Sequence, residues 1–237
     1  MTRMRTLPFA VRTFLRAALL GVLIAGCSKS TTSVQPPVGD PAPPPNTPDN
    51  VVRLVAWDWN RFDASYCDLL TDDFVFVFAE GDSAGQPWSV SPWTREVESI
   101  AVQSMLHRDS GLPRLAGLSL HVDPVMISLP DPRPGKDPRY HRIVRTSVDL
   151  IADVEQGGSS IDRWIINGNA LLFLVRGDSA AISQDMIERG FGPDSTRWWI
   201  QRWEDETLPI GGGLLHPTPA RGFTLGGLKS RFVPVLR

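Results

Sequence analysis

YCDLLTDDFVFVF, residues 66–78, sets the problem the fold has to solve. Its first half ends like a helix and its second half alternates like a strand. Phe74, Phe76 and Phe78 fall on one face of that strand and Val75 and Val77 on the other, because strand side chains alternate with period two. Both faces are apolar, yet the run is too short to cross a membrane. The domain must cover both sides of this strand.

Working outward, helical spacing precedes the stretch and strand spacing follows it. Val51, Leu54, Val55 and Trp59 predict a helix capped by Asp49 or Asn50. Ala64, Tyr66, Leu69 and Leu70 predict a second, short helix with Asp63 as its cap. Ser91-Pro92 predicts a third helix start, with a stripe at Trp93, Val97, Ile100, Ala101 and Met105 that ends at Gly111 and Pro113. The rest reads as strands: 115–129, 141–154, a tight hairpin turning at Asn167-Gly168, a short excursion at 180–190, and TRWWIQRWEDE at 196–206. Helices first and an antiparallel meander afterwards is an α+β order.

LLTDDFVFVF, the third helix, the meander and STRWWIQRWED together resemble the nuclear transport factor 2-like superfamily, in its SnoaL-like branch, over about residues 50–206. The resemblance implies a strongly curved antiparallel sheet wrapped around three helices into a cone with an apolar pocket. Both faces of FVFVF are then accounted for, as are those of RWWIQRW, where Trp198 and Ile200 oppose Trp199 and Trp203. Pocket candidates are Tyr66, Phe76, Trp93, Trp164, Trp199 and Trp203. Members of the superfamily include isomerases, dehydratases and cyclases, and its analogy also implies a homodimer through the outer sheet face.

The N-terminus carries a separate signal. Arg3, Arg5, Arg12 and Arg16 precede the apolar run AALLGVLIAG at 17–26, too short for a membrane span, as in a secretory signal. LIAGC, ending at Cys27, looks like a bacterial lipobox. The expected product begins at Cys27 with its thiol diacylglycerated and its amine acylated and is anchored stably in the cell envelope. Ser28 in place of Asp points to the outer membrane where the host has one. Residues 28–48 hold seven of the chain's 21 prolines and read as an extended tether, about 60 Å at ~3.1 Å per residue. The domain layout is a signal peptide at 1–26, a lipidated tether at 27–48, the α+β domain at 49–206, and a tail at 207–237 that either docks or stays mobile.

Without its first 26 residues the chain has 20 basic against 26 acidic residues, a balance with no footprint for nucleic acid. If Cys27 carries lipid, Cys67 has no partner; it reads as a small buried hydrophobe. Chemistry is sparse. The strand after the acidic pair carries Phe76 and Phe78 where the ketosteroid isomerase branch places an aspartate base. Asp72 and Asp73 read as turn residues bonding the local backbone. Ser119, His121 and Asp123 share a face by period two, as do Arg145, Ser147 and Asp149; His121 with Asp123 or Asp149 is the acid-base pair of an alternative, enzymatic reading. His107 reads as compensation of the third helix's C-terminal dipole, His141 and His216 form no metal-ligand spacing, and no cofactor motif is present. The first expectation is a non-enzymatic module that binds a small apolar molecule or an envelope protein.

Overall fold

The computed structural model describes residues 41–88, 91–107, 113–155, 161–208 and 223–233. The signal segment, Cys27 and most of the tether lie outside the described residues. One curved, open sheet forms from seven strands: β1 (Leu70–Val77), β2 (Trp93–Thr94), β3 (Arg114–Val122), β4 (Ile127–Pro130), β5 (His141–Glu155), β6 (Ile161–Gly177) and β7 (Asp194–Leu208). Their order is β2-β1-β7-β6-β5-β3, with β4 also on β5. Two longer helices, α1 (Pro48–Trp59) and α2 (Arg95–Leu106), pack on one face of the sheet, and two shorter ones, α3 (Gln184–Glu188) and α4 (Leu225–Ser230), complete the fold. The α+β class is as expected.

Several elements differ from the sequence reading. The expected second helix is a 3-10 turn, Ser65–Leu69. Residues 93–94 pair with β1, so α2 begins at Arg95. Thr47 caps α1: its hydroxyl accepts from the Asn50 amide at 3.3 Å, and Pro48 takes the first helical position, where its missing N–H costs nothing. The ordered body also starts before 49, since the Trp198 amide donates to the Pro45 carbonyl at 2.9 Å. The β1–β7 pair is parallel, within a sheet whose other pairs are antiparallel.

Asn167-Gly168 is not a turn. Both residues lie inside β6, with Gly168 opposite Val148 of β5 and Thr207 of β7. Gly168 has φ +148°, and a Cβ there would stand 2.5 Å from the Thr207 Cα. The glycine serves a close approach between strands rather than a reversal. Residues 115–129 split into β3 and β4 around a bend at 123–126 that belongs to neither strand. There Asp123 accepts from the Ser147 amide and hydroxyl, both at 2.6 Å, which satisfies the interrupted ladder. Strand β5 alternates as expected, with Val144, Thr146, Val148 and Leu150 buried and Arg145, Ser147 and Asp149 exposed.

A bulge in β7 changes which tryptophans share a side. Leu174 pairs with Ile200 but Phe173 with Arg202, so Gln201 is an extra residue. Parity flips after it, and Trp203 joins Trp198 and Ile200 in the main core. Trp199 packs on the opposite side with Val175 and Met186. The same correction applies to Asp72 and Asp73. They sit in β1, Asp72 paired with Arg189 and Asp73 accepting from the Gln201 amide at 2.6 Å, and they tie outer segments to the sheet instead of closing a local turn. In FVFVF, Phe74 and Phe76 are buried while Val75 and Val77 are half-buried on the outer face.

Candidate functional site

The interior lies between the inner face of β1, β7 and β6 and the helices α1 and α2. Tyr66, Phe76, Trp93, Trp164 and Trp203 all reach it, joined by Trp59 from the end of α1. Trp199 does not. The rings around Phe76 meet edge-on or tilted, with Phe76 6.0 Å from both Trp93 and Trp203, the geometry that the ring quadrupole favours, while Trp164 stacks on Phe223 at 4.1 Å.

At the centre stands a charge pair between residues that pattern reading passes over. Glu98 points inward from α2, and Lys229 points inward from α4; both side chains are fully buried. Lys229 Nζ donates to Glu98 Oε1 at 2.6 Å. The Tyr66 hydroxyl donates to the same oxygen at 2.5 Å, and the Trp93 indole N–H donates to Oε2 at 2.7 Å. The ammonium also lies over the faces of Phe76 (3.9 Å) and Trp203 (4.0 Å), with Trp59 at 5.7 Å. The carboxylate thus has donors on both oxygens and the ammonium has a carboxylate and π faces, so the polar atoms of both find partners away from water. Burial pushes the Lys229 ammonium down, and Glu98 pulls it back up. Burial, then the Glu98 charge, raises the Tyr66 phenol well above its ordinary value, so it stays a donor. Burial, then Glu98, also pushes the Cys67 thiol up to about 12, which removes it as a nucleophile near neutral pH.

The C-terminal segment is held in place by its own polar contacts. The Thr224 hydroxyl caps α4 by accepting from the Gly227 amide at 2.8 Å, and it donates to Asp82. The Leu225 amide donates to the Thr207 hydroxyl at 2.8 Å and the Gly226 amide to Asp205 at 2.7 Å. Strand β7 therefore supplies acceptors for the helix's otherwise unpaired N–H groups. Burial raises the Asp205 carboxyl, while Thr207 and Gly226 lower it. Leu225, Leu228 and Phe232 are buried around the pair. A Cβ on Gly226 would fall 2.4 Å from the Phe78 ring, so glycine lets α4 lie against this ring just past β1. Of the two alternatives for the tail, its described part docks. Beside it a cleft of about 290 Å³ opens between residues 80–84 and Phe223, Thr224 and Arg231.

The His121 constellation lies elsewhere. His121 and Asp149 are cross-strand partners exposed on the outer face, and the Ser119 hydroxyl is 3.1 Å from His121 Nε2. Asp123 is engaged with Ser147, whose hydroxyl and amide hold its carboxyl below the usual range. These residues are not brought to the interior. Among the described residues no group of His, Cys, Asp and Glu is arranged to hold a metal ion. Glu98 had a sequence signal: it falls at i, i+3, i+4 and i+7 with Ala101, Val102 and Met105, the buried face of α2, whereas the expected stripe residue Ile100 is 47% exposed.

No family model matches the chain, and no curated protein does. Solved structures similar to it include a provisionally named scytalone dehydratase from Novosphingobium aromaticivorans (13% identity, 74% of this chain and 89% of that one, TM-score 0.42). A conserved protein from Planctomyces limnophilus is similar at 17% identity over 68% of this chain and 94% of that one (TM-score 0.41). So is a nuclear transport factor 2-like protein of unknown function in nutrient uptake from Rhodospirillum rubrum, at 15% identity over 66% and 91% (TM-score 0.34). These similarities assign the chain neither a ligand nor a reaction.

Proposed function

We propose that the chain is an exported lipoprotein, anchored in the cell envelope through Cys27, and that its α+β domain binds a ligand or an envelope protein rather than catalysing a reaction. One observation carries the second half. The carboxylate at the centre of the interior, Glu98, is fully buried and already engaged by Lys229, Tyr66 and Trp93. A general base needs to reach a substrate proton, whereas Glu98 is enclosed on all sides and both its oxygens already accept from the protein's own donors. The His121, Asp123 and Asp149 set of the enzymatic reading faces outward, where nothing excludes water from a reacting group.

The first half rests on the basic start, the short apolar run and LIAGC. The predicted location is the envelope, and the outer membrane where the host has one. Mass spectrometry of the mature N-terminus tests it. Diacylglycerol on residue 27 and its loss, with release from the membrane fraction, in Cys27→Ser are the expected results. An unmodified N-terminus elsewhere overturns the anchor. For binding against catalysis, small-ligand and envelope-protein binding is measured with His121→Ala beside the natural chain. Unchanged binding is expected; a substrate turned over by the natural chain and not by the variant overturns the non-enzymatic reading.

A further inference from the structure

We propose that the interior is a recognition site for organic ammonium ions, a primary amine on an apolar arm, which the resting chain fills with its own Lys229. This names the ligand class of the binding function above and rests on that reading. Recognition of a primary ammonium needs an anion within hydrogen-bond distance, aromatic faces and exclusion of water. Glu98 supplies the first at 2.6 Å, Phe76 and Trp203 the second at 3.9 and 4.0 Å, and full burial the third.

The walls do not depend on α4. Trp59 ends α1, Tyr66 sits in the 3-10 turn, Phe76 is on β1, Trp93 on β2, Glu98 on α2 and Trp203 on β7. All precede residue 209 in sequence. Tyr66 and Trp93 hold Glu98 from elements other than α4, so the orientation of the anion has donors independent of Lys229. What α4 adds is one aliphatic arm and one charge. Helix α4 is six residues long with two glycines, which weaken a helix interior. It has no strand partner and is held at its start by the contacts of Thr224, Leu225 and Gly226. It docks as a bound peptide would, with Lys229 as the recognised side chain. The buried indole N–H of Trp203 has no hydrogen-bond partner among the described residues, so the chamber keeps polar capacity that Lys229 leaves unused.

The test is replacement of the lysine arm by a free one in the full chain. Lys229→Ala opens the space, and n-butylammonium carries the same head on a four-carbon arm. Saturable quenching of tryptophan fluorescence and a rise in Tm are expected with n-butylammonium. The neutral isostere 1-butanol should bind about tenfold more weakly or worse, since discrimination of ~1.4 kcal/mol is tenfold. Glu98→Gln in the same background should abolish the preference. Equal responses to amine and alcohol would mean a void that accepts any chain of that size; no response to either would mean no site. Both overturn the proposal. Should Lys229→Ala not fold unaided, the readout is its refolding from urea, expected with the amine and not with the alcohol; recovery with both or with neither overturns it. Neither failure touches the anchor, which stands or falls on the mass of residue 27.

Discussion

Breaking the Glu98–Lys229 pair from one side has a magnitude the surroundings set. Glu98→Gln keeps an oxygen for one of Tyr66 and Trp93, which donate to different carboxylate oxygens, and leaves the Lys229 ammonium in a fully buried site without its counter-ion. Removing one partner of a buried pair costs about 3–5 kcal/mol. Two features put the cost near the lower end: the π faces at 3.9 and 4.0 Å remain, and burial already pushes Lys229 toward its neutral form. About 3 kcal/mol is expected, and about the same for Lys229→Met, which strands the carboxylate with only its two neutral donors. The double variant removes both charges and should cost less than the sum, with a coupling of about 2–3 kcal/mol. Urea unfolding followed by tryptophan fluorescence at pH 7 measures all four proteins; a domain of this size loses about 2–4 °C of Tm per kcal/mol. Single variants costing under ~1 kcal/mol each, and adding in the double, would show a pair open to water and would refute the docked position of α4.

Three further outcomes follow from particular contacts. Burial, then the charge of Asp63, raises the Asp58 carboxyl to about 7 against the nearby Arg61. Unfolding releases its proton above pH ~4 while the folded chain keeps it, so stability falls as pH rises from ~4 through 7, and Asp58→Asn should be about 2–4 kcal/mol more stable than the natural chain at pH 8 and equal to it at pH 4. Denaturant midpoints at the two pH values check this, and an equal effect at both refutes the raised carboxyl. Gly168→Ala drives a methyl into the β7 backbone at 2.5 Å and should cost more than ~3 kcal/mol or prevent folding; a neutral result would mean β6 and β7 do not approach as described. His121→Ala, exposed, should stay within ~0.5 kcal/mol, whereas Asp123→Ala, which strips acceptors from the β3–β4 bend, should cost about 1–2 kcal/mol; the reverse order in thermal denaturation would contradict their placement.

The strands that alternate cleanly were legible. Strand β5 buries every second residue because one side faces core and the other water, and period two reports that contrast directly. Counting fails where an inserted residue shifts parity. Gln201 is such a residue, and nothing in RWWIQRW marks it as the one left out of the ladder. Asn167-Gly168 failed for another reason: the dipeptide suits a tight turn, but here the glycine answers the approach of Thr207, a partner 39 residues away in sequence. The interior pair was half legible. Glu98 lies on the apolar stripe of α2, and Lys229 on that of α4 with Leu225, Leu228 and Phe232. A charge on an apolar stripe announces burial. It does not announce its partner, and the separation of 131 residues lies beyond any periodicity.

The pair is better understood as fixing position than as adding stability, since apolar side chains of like volume are often as stabilising as a buried ion pair. Leu225, Leu228 and Phe232 alone would let α4 settle in neighbouring registers at similar cost, because apolar contact is non-directional. Lys229 removes that freedom. A one-residue slip turns a helix by about 100° and carries the ammonium away from Glu98, Phe76 and Trp203 together. Thr224, Leu225 and Gly226 set the same register from the other end through Asp82, Thr207 and Asp205. A helix of six residues with two glycines has little intrinsic tendency to form, so its one structure is imposed by the chamber it enters. Specificity of this kind belongs to the walls: a carboxylate held by two donors and flanked by aromatic faces selects a cation on an apolar arm, whichever chain the arm belongs to.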